Sequence, residues 1–92
     1  MLKVFAVRDV KGEVFGQPMF IPSVGEAVRG FRDACEAPDS MLRKHASDYA
    51  LYELGTYDPR SGLFDSLKLP VLLCEAAAVV AELKENQKEI IQ

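Results

Sequence analysis

The chain has 92 residues, which suits one domain spanning residues 1–92 and excludes a catalytic domain joined to a separate binding domain. Its 11 Lys and Arg against 14 Asp and Glu give a net charge of −3, which excludes the overall positive field of most sequence-independent nucleic-acid binders but allows a local basic patch. Hydrophobic residues at 49% and charged residues at 27% exclude a disordered or fibrous chain.

The N-terminal third predicts two strands and a helix. Residues 2–8 are rich in β-forming side chains, and the segments 14–15 and 19–21 predict a short, irregular returning strand that Gly16 and Pro18 interrupt. Ser23 and Glu26 have the spacing of a capping box, so a helix is expected to begin there and to end before Pro38. Apolar residues recur along it at helical spacing: Ala27, Val28, Phe31, Ala34 and Cys35.

The middle of the chain predicts a connector and a hairpin. Residues 38–48 are mostly polar and predict a short helical turn capped by Ser40. Residues 49–57 and 63–68 have strand character on either side of the loop 58–62, which is typical of a β-hairpin.

The C-terminal segment predicts a long helix from Val71 onward, because Pro70 suits the first helical position and no further Gly or Pro follows. Apolar residues from Leu69 to Ile90 recur at a spacing close to a heptad repeat. They are more numerous than a helix needs to bury one face against the sheet. This surplus predicts a homo-oligomer, most simply a dimer, with these interface residues: Leu73, Ala76, Val80 and Leu83. The resulting fold class is α+β, with a small antiparallel sheet from two hairpins, one capped helix between them and the long C-terminal helix.

The sequence offers little for catalysis or metal binding. Cys35 and Cys74 are isolated, and His45 is the single histidine. No nucleophile and base have a spacing in the sequence that indicates catalysis. We therefore expect buried free thiols, no metal, no cofactor and no enzymatic activity. The apolar runs are too short for a signal peptide or a membrane span, so a cytoplasmic protein without membrane contact is expected.

Basic and aromatic residues form the most suggestive group. Arg29 and Arg32 lie one turn apart on the polar helix face, residues 43–45 (Arg-Lys-His) follow in the connector, and Arg60 stands in the hairpin loop. Aromatic residues are interleaved with them: Tyr49, Tyr52, Tyr57 and Phe64. An aromatic sheet surface with basic residues at its rim is typical of single-strand binding, whereas half-buried tyrosines and surface ion pairs with Asp33 or Glu36 are the ordinary alternative.

Several of these residues also carry a family resemblance. The relevant segments are residues 3–5 (Lys-Val-Phe) with Asp9 and Lys11, residues 25–33 (Gly-Glu-Ala-Val-Arg-Gly-Phe-Arg-Asp), residues 44–45 with 48–49, and residues 54–58 with Gly62. Over roughly residues 1–70 the chain resembles the small nonstructural proteins of gokushovirus-like microviruses, which are phages with single-stranded DNA. Members usually have an aromatic residue in place of Arg8 and a proline in place of Ala46.

The resemblance implies a noncatalytic, DNA-binding phage protein that acts in the host cytoplasm when single strands are made or packaged. The matched positions most able to meet DNA are Arg29, Arg32, Lys44, His45 and Tyr57. Together with Arg43 and Arg60 they make up the predicted nucleic-acid site, with weak binding expected because of the acidic net charge. The alternative is a homo-oligomeric interaction protein that binds phage or host proteins and has little or no contact with DNA.

Overall fold

The computed structural model describes the backbone of residues 1–91 and the side chains of residues 1–86. Five strands and three helices follow one another along the chain, with a 3₁₀ turn at Ala46–Asp48. Their bounds are β1 (Leu2–Asp9), β2 (Val14–Phe15), β3 (Met19–Ile21), α1 (Val24–Glu36), α2 (Met41–Lys44), β4 (Tyr49–Asp58), β5 (Leu63–Glu75) and α3 (Ala76–Ile91). The predicted α+β class is therefore confirmed.

All five strands form one antiparallel sheet. Its order is β2, β1, β4 and β5, and β3 pairs with the same strand, β1, as β2 does. The second strand is short and interrupted, as Gly16 and Pro18 predict, and the Gly16 amide donates to the Val7 carbonyl oxygen at 2.8 Å. The β4–β5 hairpin closes through Gly62, whose positive φ of 77° suits glycine and whose amide donates to the Asp58 carbonyl oxygen at 2.7 Å.

The predicted helix starts are confirmed for α1 and α2. The Ser23 hydroxyl accepts from the Glu26 amide at 3.2 Å, and the Ser40 hydroxyl accepts from the Arg43 amide at 3.1 Å. The first bond satisfies an amide of the first helical turn, and the Arg43 amide also donates to the Ser40 carbonyl oxygen at 3.2 Å. The connector is therefore an ordered segment that returns the chain from α1 to β4.

The hydrophobic core lies between one face of the sheet and the helices. Phe5 and Leu51 of the sheet are fully buried there against α1 and α3. The helices contribute the other buried members of this cluster: Ala27, Phe31, Cys35, Ala76 and Val79. We call this side of the sheet the helix face.

The long helix predicted from Val71 is wrong in its starting point. Residues 69–75 extend β5, and α3 begins at Ala76. Val71 and Leu72 pair with Glu53 and Tyr52 of β4, so long-range strand pairing outweighs the helix-forming tendency of this segment. Pro70 is accommodated because it lies in a stretch of β5 that leaves the ladder with β4.

The shorter helix removes the basis of the predicted oligomer interface. Leu73 lies in a strand and not in a helix, and Ala76 is fully buried in the core of its own chain. Leu83 also packs against that core, while Val80 is half-buried. The remaining heptad positions, Gln87 and Ile90, lie outside the described side chains. The apolar side chains of α3 that the structure describes therefore pack mainly against the core of their own chain.

Burial of Cys35 gives the fold a measurable pH dependence. Burial raises the pKa of the Cys35 thiol from 9.0 to about 11, because the thiolate would lose its hydration. A raised thiol pKa contributes stability that is complete below pH 9.0 and is lost as the pH rises toward about 11. We expect the melting temperature to fall more steeply over this window in the parent than in Cys35→Ala, because the two proteins differ only at this thiol. Parallel curves for the two proteins would contradict this expectation.

Candidate nucleic-acid interface

The register of the sheet assigns a set of side chains to the face away from the helices. Residues directly opposite each other in an antiparallel pair point to the same side of a sheet. Arg8 lies opposite Phe15 and Ala50, and Ala6 lies opposite Tyr52. Farther along, Val4 lies opposite Phe20 and Gly55, and Leu2 lies opposite Tyr57, which in turn lies opposite Phe64. We call this side the aromatic face.

Two groups of rings occupy the aromatic face. Phe15 and Tyr52 meet edge to face with ring centroids 5.5 Å apart. Tyr57 lies 5.4 Å from Phe20 and 4.8 Å from Phe64, and the latter two rings are 6.1 Å apart. Tyr57 of the larger group lies opposite Leu2 of β1, and Tyr52 of the smaller group lies opposite Ala6. At ~3.3 Å per residue, about 13 Å of strand separates the two groups.

Small residues between the rings bring the strands and the rings close together. Ala6 is fully buried on this face although the helix core lies on the other side, and Ala50 is nearly so. At Gly55 a Cβ atom would lie 2.3 Å from the Asp65 carbonyl oxygen, so only glycine allows β5 to approach β4 at this point. Each group of rings therefore lies directly over a thin layer of backbone and small side chains.

Charged groups stand at both ends of the aromatic face. The Arg8 guanidinium lies over the Phe15 ring, 5.1 Å from its centroid, in a cation–π arrangement. Glu75 lies opposite Ala50 in the same row and brings a negative charge to this end. At the other end, the Asp58 carboxylate accepts from the Arg60 amide at 2.9 Å, which lowers the pKa of Asp58 and leaves the exposed Arg60 side chain in the hairpin turn.

The predicted basic site divides between opposite sides of the protein. Tyr57 and Arg60 lie on the hairpin, whereas the other five residues lie on the helix side: Arg29, Arg32, Arg43, Lys44 and His45. The Arg32 guanidinium donates to the Glu82 carboxylate, which raises the pKa of Arg32, and Arg43 donates to the Glu36 carbonyl oxygen at 2.9 Å. The structure therefore does not bring these five residues together with Tyr57.

Of the tyrosines and Phe64 interleaved with the basic residues, three share the aromatic face and one does not. Tyr52, Tyr57 and Phe64 belong to the face, while Tyr49 packs against the helix core. Sequence reasoning missed Arg8, Phe15 and Phe20. Their strands are too short or too irregular for alternation to reveal which side each residue occupies, and only the register supplies that information.

Two further properties of the described chain bear on its function. Among the described residues, no three His, Cys, Asp or Glu side chains cluster where they could hold a metal ion. No helix in the same part of the chain combines the length and the apolar character that crossing a membrane requires.

Comparison with known proteins yields a family match over most of the chain. No curated protein and no solved structure is a significant match to it. The family model described as Phage ORF5 protein matches residues 2–79, which include all five strands, α1, α2 and the first turn of α3. Both groups of rings on the aromatic face fall within the matched region. The chain therefore belongs to the Phage ORF5 protein family.

Proposed function

We propose that this phage protein is a noncatalytic, nonstructural protein of a gokushovirus-like microvirus that binds single-stranded DNA in the host cytoplasm during phage DNA synthesis or packaging. The observation that carries the DNA-binding proposal is the aromatic face, with its two groups of rings on a sheet surface that the helices leave uncovered. The resemblance described above supports the viral assignment.

Exposed rings on a sheet suit unpaired bases better than a duplex. Every base has a flat face that can stack on an aromatic ring, but in a duplex that face is already stacked on its neighbours. Phe64 is 62% exposed and Phe20 is 44% exposed, so both have ring surface to offer. The ~13 Å between the two groups corresponds to about four stacked nucleotides at ~3.4 Å each. A single strand along β1 and β4 would then meet both groups.

Charge limits the strength of this binding. Arg8 and Arg60 are the basic residues at the two ends of the face. Glu75 brings a negative charge to the Arg8 end, and the chain carries a net charge of −3. Each phosphate contact to a single strand contributes roughly −0.7 to the slope of log affinity against log salt. We therefore expect a shallow salt dependence and an affinity of about micromolar at physiological salt.

Fluorescence anisotropy with a labelled oligothymidylate and a duplex of equal length, across a salt series, tests the proposal. The expected result is micromolar binding to the single strand, with the duplex bound at least about ten times more weakly, since stacking contributes ~1–3 kcal/mol per unpaired base. Arg8→Gln should weaken binding more than the helix-side double variant Arg29→Gln/Arg32→Gln, although the latter removes twice the charge. Absence of single-strand binding at low salt, or equal affinity for the duplex, would overturn the proposal.

The second candidate is a homo-oligomeric interaction protein that binds DNA weakly or not at all. The exposed apolar edge of β5 is the observation that favours it. This candidate predicts self-association together with an unchanged anisotropy signal at low salt. Because self-association is compatible with DNA binding, the anisotropy signal is the measurement that separates the candidates.

A further inference from the structure

The edge strand β5 exposes an unusual amount of apolar surface. Every residue from 63 to 72 is exposed, and six of them are large and apolar. Their exposed fractions are Leu63 70%, Phe64 62%, Leu67 39%, Leu69 76%, Val71 48% and Leu72 46%. Sheet edges in soluble proteins are normally short, charged or covered, because an open edge can pair with another chain.

The exposed area suits a stable interface. At roughly 150–200 Å² for a fully exposed large apolar side chain, these residues expose about 600 Å² per chain, while a standard protein interface buries about 800 Å² per partner. Backbone and polar atoms of β5 can supply the difference. A patch of this size also reaches the upper end of what monomeric proteins expose.

The backbone of β5 is available for pairing at the centre of this surface. Ser66 pairs with Gly55 of β4, and Val71 pairs with Glu53. The four residues of β5 between them face one residue of β4, Leu54. This stretch, residues 67–70, therefore leaves the ladder with β4. Pro70 has no amide hydrogen, but the other amides and carbonyls of the stretch can bond to a strand outside.

A second copy of β5 complements this edge. An antiparallel pair centred on Leu67 sets that residue opposite its own copy and Leu63 of each chain opposite Val71 of the other. Asp65 and Lys68 are the charged residues between 63 and 74, and neither meets its own copy in this arrangement. Asp65 instead lies opposite Leu69 of the other chain and Lys68 lies opposite Ser66, so no like charges are paired across the interface.

We propose that the protein forms a two-fold symmetric dimer through antiparallel pairing of β5 about Leu67. The two-fold axis runs perpendicular to the sheet, so both aromatic faces lie on the same side of one continuous sheet. If the proposed function holds, the dimer presents one doubled stacking surface to a single strand, and linked contacts raise its affinity without new side chains. The pairing itself requires no DNA.

Light scattering on the full chain without DNA tests the pairing. At about 50 µM the parent is expected to show twice the 10.2 kDa mass of one chain. Leu69→Asp should shift the midpoint of dissociation at least tenfold toward higher concentration, because it sets two carboxylates opposite each other in each half of the dimer. Leu69→Lys removes the same leucine but meets Asp65 with an opposite charge, so it should dissociate clearly less than Leu69→Asp.

Two further variants keep the test decisive. Met41→Asp places the same charge on an exposed apolar residue of α2 and should leave the dimer intact. Leu67→Cys should yield a disulfide-linked dimer on mild oxidation, because the two copies of residue 67 meet at the axis. A monomeric parent, equal dissociation of Leu69→Asp and Leu69→Lys, or no cross-linking of a dimeric Leu67→Cys would each overturn the pairing. Loss of DNA binding with an intact dimer would overturn only the proposed function.

Discussion

Replacing Tyr57 and Phe64 together with serine is expected to weaken single-strand binding by about 10- to 100-fold. These rings, 4.8 Å apart, belong to the larger group on the aromatic face, and a ring that stacks on a base contributes ~1–3 kcal/mol. Because the change removes no charge, the salt slope should stay as in the parent while the affinity falls. Anisotropy titrations at two salt concentrations measure both quantities.

The matched control for this pair keeps the rings and exchanges only the hydroxyl groups. Tyr57→Phe/Phe64→Tyr should bind within about twofold of the parent, because stacking depends on the ring face. Circular dichroism checks that both variants are folded. If the serine variant is folded and binds as well as the parent, DNA does not use the aromatic face.

Replacing Gly55 with alanine is expected to lower the free energy of unfolding by at least about 2 kcal/mol. The added Cβ would lie 2.3 Å from the Asp65 carbonyl oxygen and 3.0 Å from the Ser66 Cα. Both are backbone atoms, so the strands themselves must separate, which costs more than turning a side chain. Urea unfolding followed by circular dichroism measures the loss.

Gly30→Ala provides the opposite case within the same chain. Gly30 lies inside α1, and no heavy atom outside its own helix backbone and chain neighbours lies within 4 Å of an added Cβ, so alanine should raise stability by about 0.5–1 kcal/mol through its helix propensity. A pair of variants with the same chemical change and opposite effects would identify the strand approach at Gly55 as the cause. Equal effects at both positions would contradict it.

The fold could be predicted where local chemistry decides the structure. Ser23 and Ser40 cap the helices that follow them, and Gly62 closes the hairpin, because each forms bonds within a few residues. Residues 71–75 could not be predicted in this way. Their local preference suits a helix, but pairing with a strand some twenty residues earlier holds them in β5.

The candidate site was predictable in its residue types and not in its arrangement. Tyr52, Tyr57 and Phe64 have the character of a stacking surface in the sequence alone. Except for Arg60 in the hairpin loop, their basic partners were assigned to α1 and the connector, which lie on the other side of the sheet. A sequence gives the order of its charged residues, but the side of the sheet on which a helix packs depends on tertiary contacts.

Leu54 determines which side of the sheet the residues beyond it in the β4–β5 hairpin face. Pairing shifts at this position with both β1 and β5: Leu54 is an extra residue on β4 relative to β1, whereas four residues of β5 face it on the other side. Tyr52 and Tyr57 are an odd number of residues apart, and a regular strand would turn them to opposite sides. The extra residue cancels that alternation. If Leu54 took a regular place in the ladder with β1 instead of bulging, Tyr57 and Phe64 would turn toward the helices, so the usable surface depends on a bulge at an aliphatic residue that carries no binding chemistry of its own.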